Sequence, residues 1–256
     1  MNKITLPGTI WVASDMHLGP AAPATTEAFL SFLEAAADEA SALLLPGDIF
    51  DAWIGDDVIR QPPPWLASVL QALKTTAAAI PVWLGRGNRD FLMGTELAET
   101  VGARLLPEPA LLDTDYGLIL LTHGDELCLD DQAYQAFRAM VRDPAWQKEF
   151  LGKSIPERLT LAQQARGESK AATQAKQADI MDVNPDAVES LFRETGVATL
   201  VHGHTHRPDR HVLEVAGKRR ERWVLPDWDC DHARPPRGGW LAIDRDGMQF
   251  YDLEVA

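Results

Sequence analysis

Short apolar runs alternate with amphipathic stretches through the first half of this chain. Thr9–Ser14, Ala42–Pro46, Ile80–Leu84 and Leu118–Thr122 have strand-like apolar content. Between them, Thr25–Ala40, Pro64–Ala78 and Gly94–Val101 have the spacing and the Ala, Leu and Glu content of helices. This alternation predicts an α/β protein built from βαβ units, with a mainly parallel sheet covered by helices. In such folds ligands collect at the carboxyl ends of the strands.

The pattern changes between Asp130 and Ala178, which has almost no β-branched runs and reads as helix with breaks near Pro144 and Pro156. From Gln132 to Ala178 there are eight basic residues (Arg138, Arg142, Lys148, Lys153, Arg158, Arg166, Lys170, Lys176). Four are acidic (Asp143, Glu149, Glu157, Glu168), so the balance is 8 − 4 = +4. A charge run is usually a solvated face; the sharper expectation is a basic cap over an anionic substrate. Strand signals return at Thr199–His202, His211–Val215, Trp223–Leu225, Trp240–Ile243 and Gln249–Leu253, with turns at Ala216-Gly217 and Asp246-Gly247 that predict antiparallel pairing.

Composition narrows the partners. A net charge of −14 argues against nucleic acid, whose phosphates reward a basic face. The 46% hydrophobic content suffices for a core without disulfides, and Cys128 and Cys230 form no disulfide framework. No secretory signal or membrane-spanning run is read. The expectation is a cytosolic chain, or one lying on a membrane without spanning it.

Five polar blocks follow the apolar runs: Asp15-Met16-His17, Gly47-Asp48, Gly87-Asn88-Arg89-Asp90, His123-Gly124-Asp125 and Gly203-His204-Thr205-His206. Carboxylate, imidazole and amide oxygen suit Mn, Fe or Zn alike. Singly, each Asp reads as a turn or cap residue and each His as merely hydrogen-bonded. Jointly, Asp15 with His17 and His204 with His206 alternate on one face of extended segments, so each pair can reach one point. His202 reads as structural, and His211, His232 and the Pro226–His232 stretch carry no ligand spacing.

The ordered set D-x-H, G-D, G-N-x-D, H-G-D, G-H-T-H resembles the calcineurin-like metallophosphoesterase superfamily. The resemblance implies a four-layer α/β/β/α sandwich in one domain over residues 1–256, with a helical cap inserted at 130–180. It implies two divalent ions, with Mn²⁺ the expected metal: Asp15, His17 and His206 on one, Asn88, His123 and His204 on the other, Asp48 bridging. Two ions about 3.5–4 Å apart activate a bridging water and neutralise an in-line displacement. Many members carry His where this chain has Arg89. A guanidinium is no general acid near neutrality, whereas a phosphate leaving group with a second pKa of about 6 needs no protonation. Arg89 then fits bidentate contact to phosphate oxygens, and the expected scissile bond is a pyrophosphate. The competing reading is a surface arginine paired with Asp90.

A narrower resemblance, to the pyrophosphatases that act on UDP-2,3-diacylglucosamine in lipid A synthesis, rests on Gly87–Leu92, His123–Arg138, Ile180–Asn184 and His202–Pro208. It implies hydrolysis to UMP and 2,3-diacylglucosamine 1-phosphate by water attacking the α-phosphorus, with Asn88, Arg89 and His204 as the catalytic contacts. Substrate contacts carried over are Asn88, Arg89, Asp131, Ser169, Thr173, Lys176 and His204; Thr173 departs from the family's usual Asn. Ser169, Thr173 and Lys176 share helical i, i+4, i+7 spacing. Phe137, Met140, Val141, Trp146, Phe150 and Leu151 are candidates for an acyl groove, against ordinary packing of the insertion. The expected partners are the lipid-linked UDP-sugar and, peripherally, the cytoplasmic face of the bacterial inner membrane, with no nucleic acid and no obligate protein partner. Two other readings are weighed: a phosphoesterase for soluble dinucleoside polyphosphates, and a catalytically silent metal-binding scaffold.

Overall fold

A computed structural model describes residues 3–175 and 182–253, with 168–175 described at the backbone alone. Twelve strands form two six-stranded sheets among these residues. The first comprises β1 (Lys3–Leu6), β6 (Ala110–Thr114), β7 (Gly117–Leu121), β8 (Thr199–His202), β9 (Asp209–Val215) and β10 (Lys218–Val224), in the order β1-β6-β7-β8-β10-β9. The second comprises β2 (Ile10–Val12), β3 (Ala42–Leu45), β4 (Val82–Leu84), β5 (Arg104–Leu105), β11 (Gly239–Asp244) and β12 (Gly247–Asp252), in the order β12-β11-β2-β3-β4-β5.

Strands buried on both faces explain the continuous apolar runs. Ile10, Val12, Ala42 and Leu44 point inward with Ile119, Leu121 and Val201 to fill the space between the sheets. Their neighbours Trp11, Leu43 and Leu45 face outward against α1 (Pro23–Glu39), α2 (Pro64–Ala79) and α3 (Thr95–Val101). On the far side, Leu120 and Leu200 pack against Val188 and Phe192 of α7 (Pro185–Thr195). The layers therefore run α/β/β/α, as the resemblance implied.

The parallel expectation holds for β2 through β5, but each sheet as a whole is mixed. The strand signal for β10 is legible only at its end, because Lys218–Arg222 is charged; its exposed residues pair with β9 through the Ala216-Gly217 turn. Three helices occupy the basic stretch: α4 (Gln132–Val141), α5 (Pro144–Leu151) and α6 (Ile155–Ala175). The breaks expected near Pro144 and Pro156 fall there: α4 ends at Val141 and α5 at Leu151, and each proline stands in the first turn of the next helix, where it has no intrahelical N–H to lose.

Candidate metal centre and adjoining cavity

The ligand blocks converge because the carboxyl ends of β2, β3, β4, β7 and β8 open onto one rim of the sandwich. Backbone bonds zip the loops together: Asp15 N donates to Gly47 O (3.2 Å), His17 N to Asp48 O (2.9 Å), and Gly203 N to His123 O (2.9 Å). Asp15, His17, Asp48, His204 and His206 all have φ between +49° and +67°. Left-handed backbone costs a non-glycine residue about 1 kcal/mol or more, so these five positions are held by their surroundings against local preference.

Asp90 supplies part of that hold. It is fully buried, and its carboxylate accepts from Gly87 N (2.7 Å), Asp48 N (3.2 Å) and Ile49 N (2.7 Å). It therefore ties the β3 loop to the β4 loop, which contradicts the pairing of Arg89 with Asp90. Arg89 instead lies with Nε 4.0 Å from Asp48 Oδ2, while its backbone N donates to Asp48 Oδ1 at 2.8 Å. Gly87 is required by this close approach: a Cβ there would stand 2.0 Å from Asp48 Oδ1 and 2.5 Å from Asp48 N. Gly87→Ala is expected to displace the Asp48 loop and lower activity about tenfold or more. Wild-type kcat in a folded Gly87→Ala protein would contradict this.

Two clusters emerge. Asp15, His17 and His206 bring one donor atom each within 4.8 Å of one another, as do Asp15, Asp48 and His123. His17 Nε2 is 3.3 Å from His206 Nε2, and His206 Nε2 is 3.3 Å from Asp15 Oδ1. Asn88 Oδ1 lies 3.1 Å from His123 Nε2 and 2.9 Å from His204 Nδ1. With its oxygen inward the Asn88 amide sets Oδ1 between the His123 and His204 nitrogens, where it adds a third ligand atom. Turned over, its nitrogen donates to His204, His123 and Asp48, which gives the metal-free site a pairing of its own. Buried His17 Nδ1 and His123 Nδ1 have no hydrogen-bond partner among the described residues. The donor set fits a pair of divalent ions.

Electrostatics agree. Burial alone would raise the Asp15 carboxyl, but the His206 hydrogen bond and the neighbouring imidazoles hold it well below the usual range. Burial lowers His17 and His204 to about 3, leaving both neutral, the ligating form. Asp48 is pushed up to about 7, chiefly by burial. His123, which burial would lower, is carried to about 9 by Asp48, Asp15, Asp125 and Asp90. The His123–Asp48 pair therefore holds a proton at pH 7 that a cation must displace. Binding of Mn²⁺ to metal-free protein is expected to release protons, seen as a buffer-dependent calorimetric enthalpy. An enthalpy independent of buffer would contradict it.

A second layer of residues escaped the sequence. Ser14 Oγ donates to Asp15 Oδ2 at 2.5 Å. Asp227, just past β10, stands 3.5 Å from His206 Nδ1, and Trp228 N donates to Asp15 O at 3.1 Å. The Pro226–His232 stretch is a loop, as expected, but one that backs the cluster. An acidic residue three positions past the end of β10 was its available signal. His202 is structural: it is buried, with Nε2 3.1 Å from Arg222 Nη1.

Four arginines of the basic stretch are paired. Arg138 pairs with Asp125, Arg142 with Glu108, Arg158 with Asp57 and Arg166 with Asp51. These arginines fasten α4 and α6 to carboxylates outside the stretch, and Arg166 also lines the adjoining cavity together with Lys153. Arg158 is only 1% exposed and also donates to Ile54 O. Asp131 caps α4, accepting from Tyr134 N at 3.1 Å. Ser169 and Thr173 fall on the α6 backbone with side chains outside the described residues, and Lys176 lies outside them altogether.

Against α4, α5 and α6 lies a cavity of about 580 Å³. Its lining includes Asn88, Arg89, Asp51, Glu149, Lys153 and Arg166 together with Phe91, Phe137, Trp146 and Phe150. Val141 is instead buried, while Met140 and Leu151 are exposed, so none of these three lines the cavity.

Residues 8–208 match the family model for calcineurin-like phosphoesterases, and the chain belongs to that family. Among curated proteins it is 73% identical over 253 residues to a UDP-2,3-diacylglucosamine hydrolase of Bordetella pertussis, covering 99% of this chain and 98% of that one. Proteins of the same name from Aromatoleum aromaticum (46% identity; 85% and 88% covered) and Xanthomonas campestris (43%; 94% and 98%) are also similar.

Proposed function

We propose that this chain hydrolyses the pyrophosphate bond of UDP-2,3-diacylglucosamine, giving UMP and 2,3-diacylglucosamine 1-phosphate for lipid A synthesis. The carrying observation is a single cavity lined both by the polar Asn88 and Arg89 and by the aromatic Trp146 and Phe150. A substrate that is anionic at one end and acylated at the other matches that lining. The names of the relatives support the same substrate.

Asp15, His17 and His206 would hold one ion and Asn88, His123 and His204 the other, with Asp48 shared; Mn²⁺ is the proposed metal. When bound, such a pair supplies Lewis-acid stabilisation of phosphoryl oxygens and a water nucleophile available at neutral pH. Arg89 contributes a fixed guanidinium beside Asp48, placed to take a phosphate oxygen as charge develops. His204 and Asn88 orient the reacting phosphate, with Asp131, Ser169, Thr173 and Lys176 proposed as contacts to the remaining sugar and phosphate. Phe91, Phe137, Trp146 and Phe150 take acyl carbon and exclude water. In this reading α4–α6 form a cap inserted into a single phosphoesterase domain.

Supplied with Mn²⁺, the protein is expected to turn over acylated UDP-glucosamine far faster than a dinucleoside tetraphosphate. The reverse preference would favour the soluble-nucleotide reading, and no hydrolysis of any phosphate substrate would favour a silent scaffold.

The proposal includes peripheral contact with the cytoplasmic face of the inner membrane through the cap rim. Met140, Leu151, Ile155 and Leu159 on α4–α6 are 40–48% exposed. No described helix is long and apolar enough to cross a membrane. The protein is expected to float with vesicles of inner-membrane lipid, and Leu159→Glu to weaken flotation. Recovery entirely at the bottom of the gradient would contradict the contact.

A further inference from the structure

Asp125 is two residues beyond His123 and 1% exposed, yet belongs to neither ligand cluster. Its Oδ2 accepts from Tyr134 Oη at 2.5 Å and from Arg138 Nε at 2.8 Å, with Arg142 Nη2 at 3.9 Å. Residues 134, 138 and 142 are spaced i, i+4, i+8, so one stripe of α4 and its C-cap converges on a single carboxylate. Gln135 Nε2, on the same helix, donates to Asp125 O at 2.8 Å and Cys128 O at 3.1 Å.

The same stripe touches the ligand loops directly. The Tyr134 ring lies 5.8 Å from the His204 ring. Arg142 Nη2 donates to Gly87 O at 3.3 Å, one residue from Asn88. Tyr134 and Phe137 meanwhile line the cavity. A shift of α4 would thus move a cavity wall and the neighbour of His204 together.

We infer that Asp125 is a positioning residue for the proposed hydrolysis, fixing α4 of the cap in register with the loops that carry Asn88, His123 and His204. The inference rests on the function proposed above. A contribution to stability alone is the weaker account. Exchanging a whole buried ion pair for apolar residues often costs little stability, although losing one partner alone destabilises. Here, moreover, the partners of the carboxylate all come from the one element that spans the cavity and the cluster. Misplacement by about 1 Å costs a reaction about 10²-fold.

The test compares wild type, Asp125→Asn, Tyr134→Phe and the double variant, assayed with UDP-2,3-diacylglucosamine and Mn²⁺. Metal per chain is measured by elemental analysis, and amide hydrogen exchange is followed across residues 132–141. Asp125→Asn is expected to lower kcat by about 10- to 100-fold, leave KM within about threefold and retain wild-type metal content. Exchange should rise in α4 while β2 and β3 stay protected. The double variant should lose no more than Asp125→Asn alone, because the two act as a unit.

Unchanged α4 exchange would overturn the inference whatever the activity. So would a kcat within threefold of wild type, or a loss that follows metal content. A wild-type protein that releases no UMP would sink the proposed function instead, leaving the exchange result to decide the register of α4.

Discussion

Asp48→Ala is expected to lower kcat by about 10³-fold or more, equivalent to about 4 kcal/mol of transition-state stabilisation. Three local facts concentrate the effect at this residue. Its carboxylate faces both histidine groups, with Oδ2 3.7 Å from His17 Nδ1 and Oδ1 3.6 Å from His123 Nε2. It also accepts from the backbone N of Arg89, so its removal loosens the loop that carries the guanidinium. Finally, it is 1% exposed and lies within 4.8 Å of donor atoms of Asp15 and His123, so its removal takes one carboxylate from that cluster. Steady-state kinetics with Mn²⁺ titrated to saturation, paired with metal analysis, checks the prediction. A loss below tenfold at saturating metal would mean that Asp48 does not bridge.

Arg89→Met is expected to reduce kcat by about 10²-fold with a smaller change in KM. Methionine keeps an apolar stem of similar reach and removes the donor fork, so cavity packing survives while charge stabilisation is lost. Arg89→Lys should recover only part of the loss, since an ammonium cannot make the bidentate contact. The structure removes the surface-pair alternative, because Asp90 is engaged by backbone N–H groups. A solvated surface arginine would tolerate Met with activity within about twofold of wild type. Kinetics of the three proteins on the acylated substrate separates these outcomes.

Much of this was legible because the chemistry follows strand ends. Leu43–Leu45 is apolar on both faces, and so announces a buried strand whose end carries Asp48. Asp15, His17, Asn88, His123, His204 and His206 stood out for the same reason. Three features hid the rest. β10 opens in charge, with Lys218 and Arg219 exposed, and it follows its partner β9 by a turn. The arginines of α4 and α6 have no sequence neighbours that reveal their partners: Arg158 meets Asp57 and Arg166 meets Asp51 across more than one hundred residues. Asp227 looks like an ordinary loop acid until the fold places it behind His206.

Hydrolysis of UDP-2,3-diacylglucosamine in ¹⁸O-enriched water, with Mn²⁺ and mass analysis of both products, tests the central claim most directly. Attack on the uridine-proximal phosphorus predicts one heavy oxygen in UMP and none in the acylated sugar phosphate. Label in the sugar phosphate, or release of UDP in place of UMP, would contradict it.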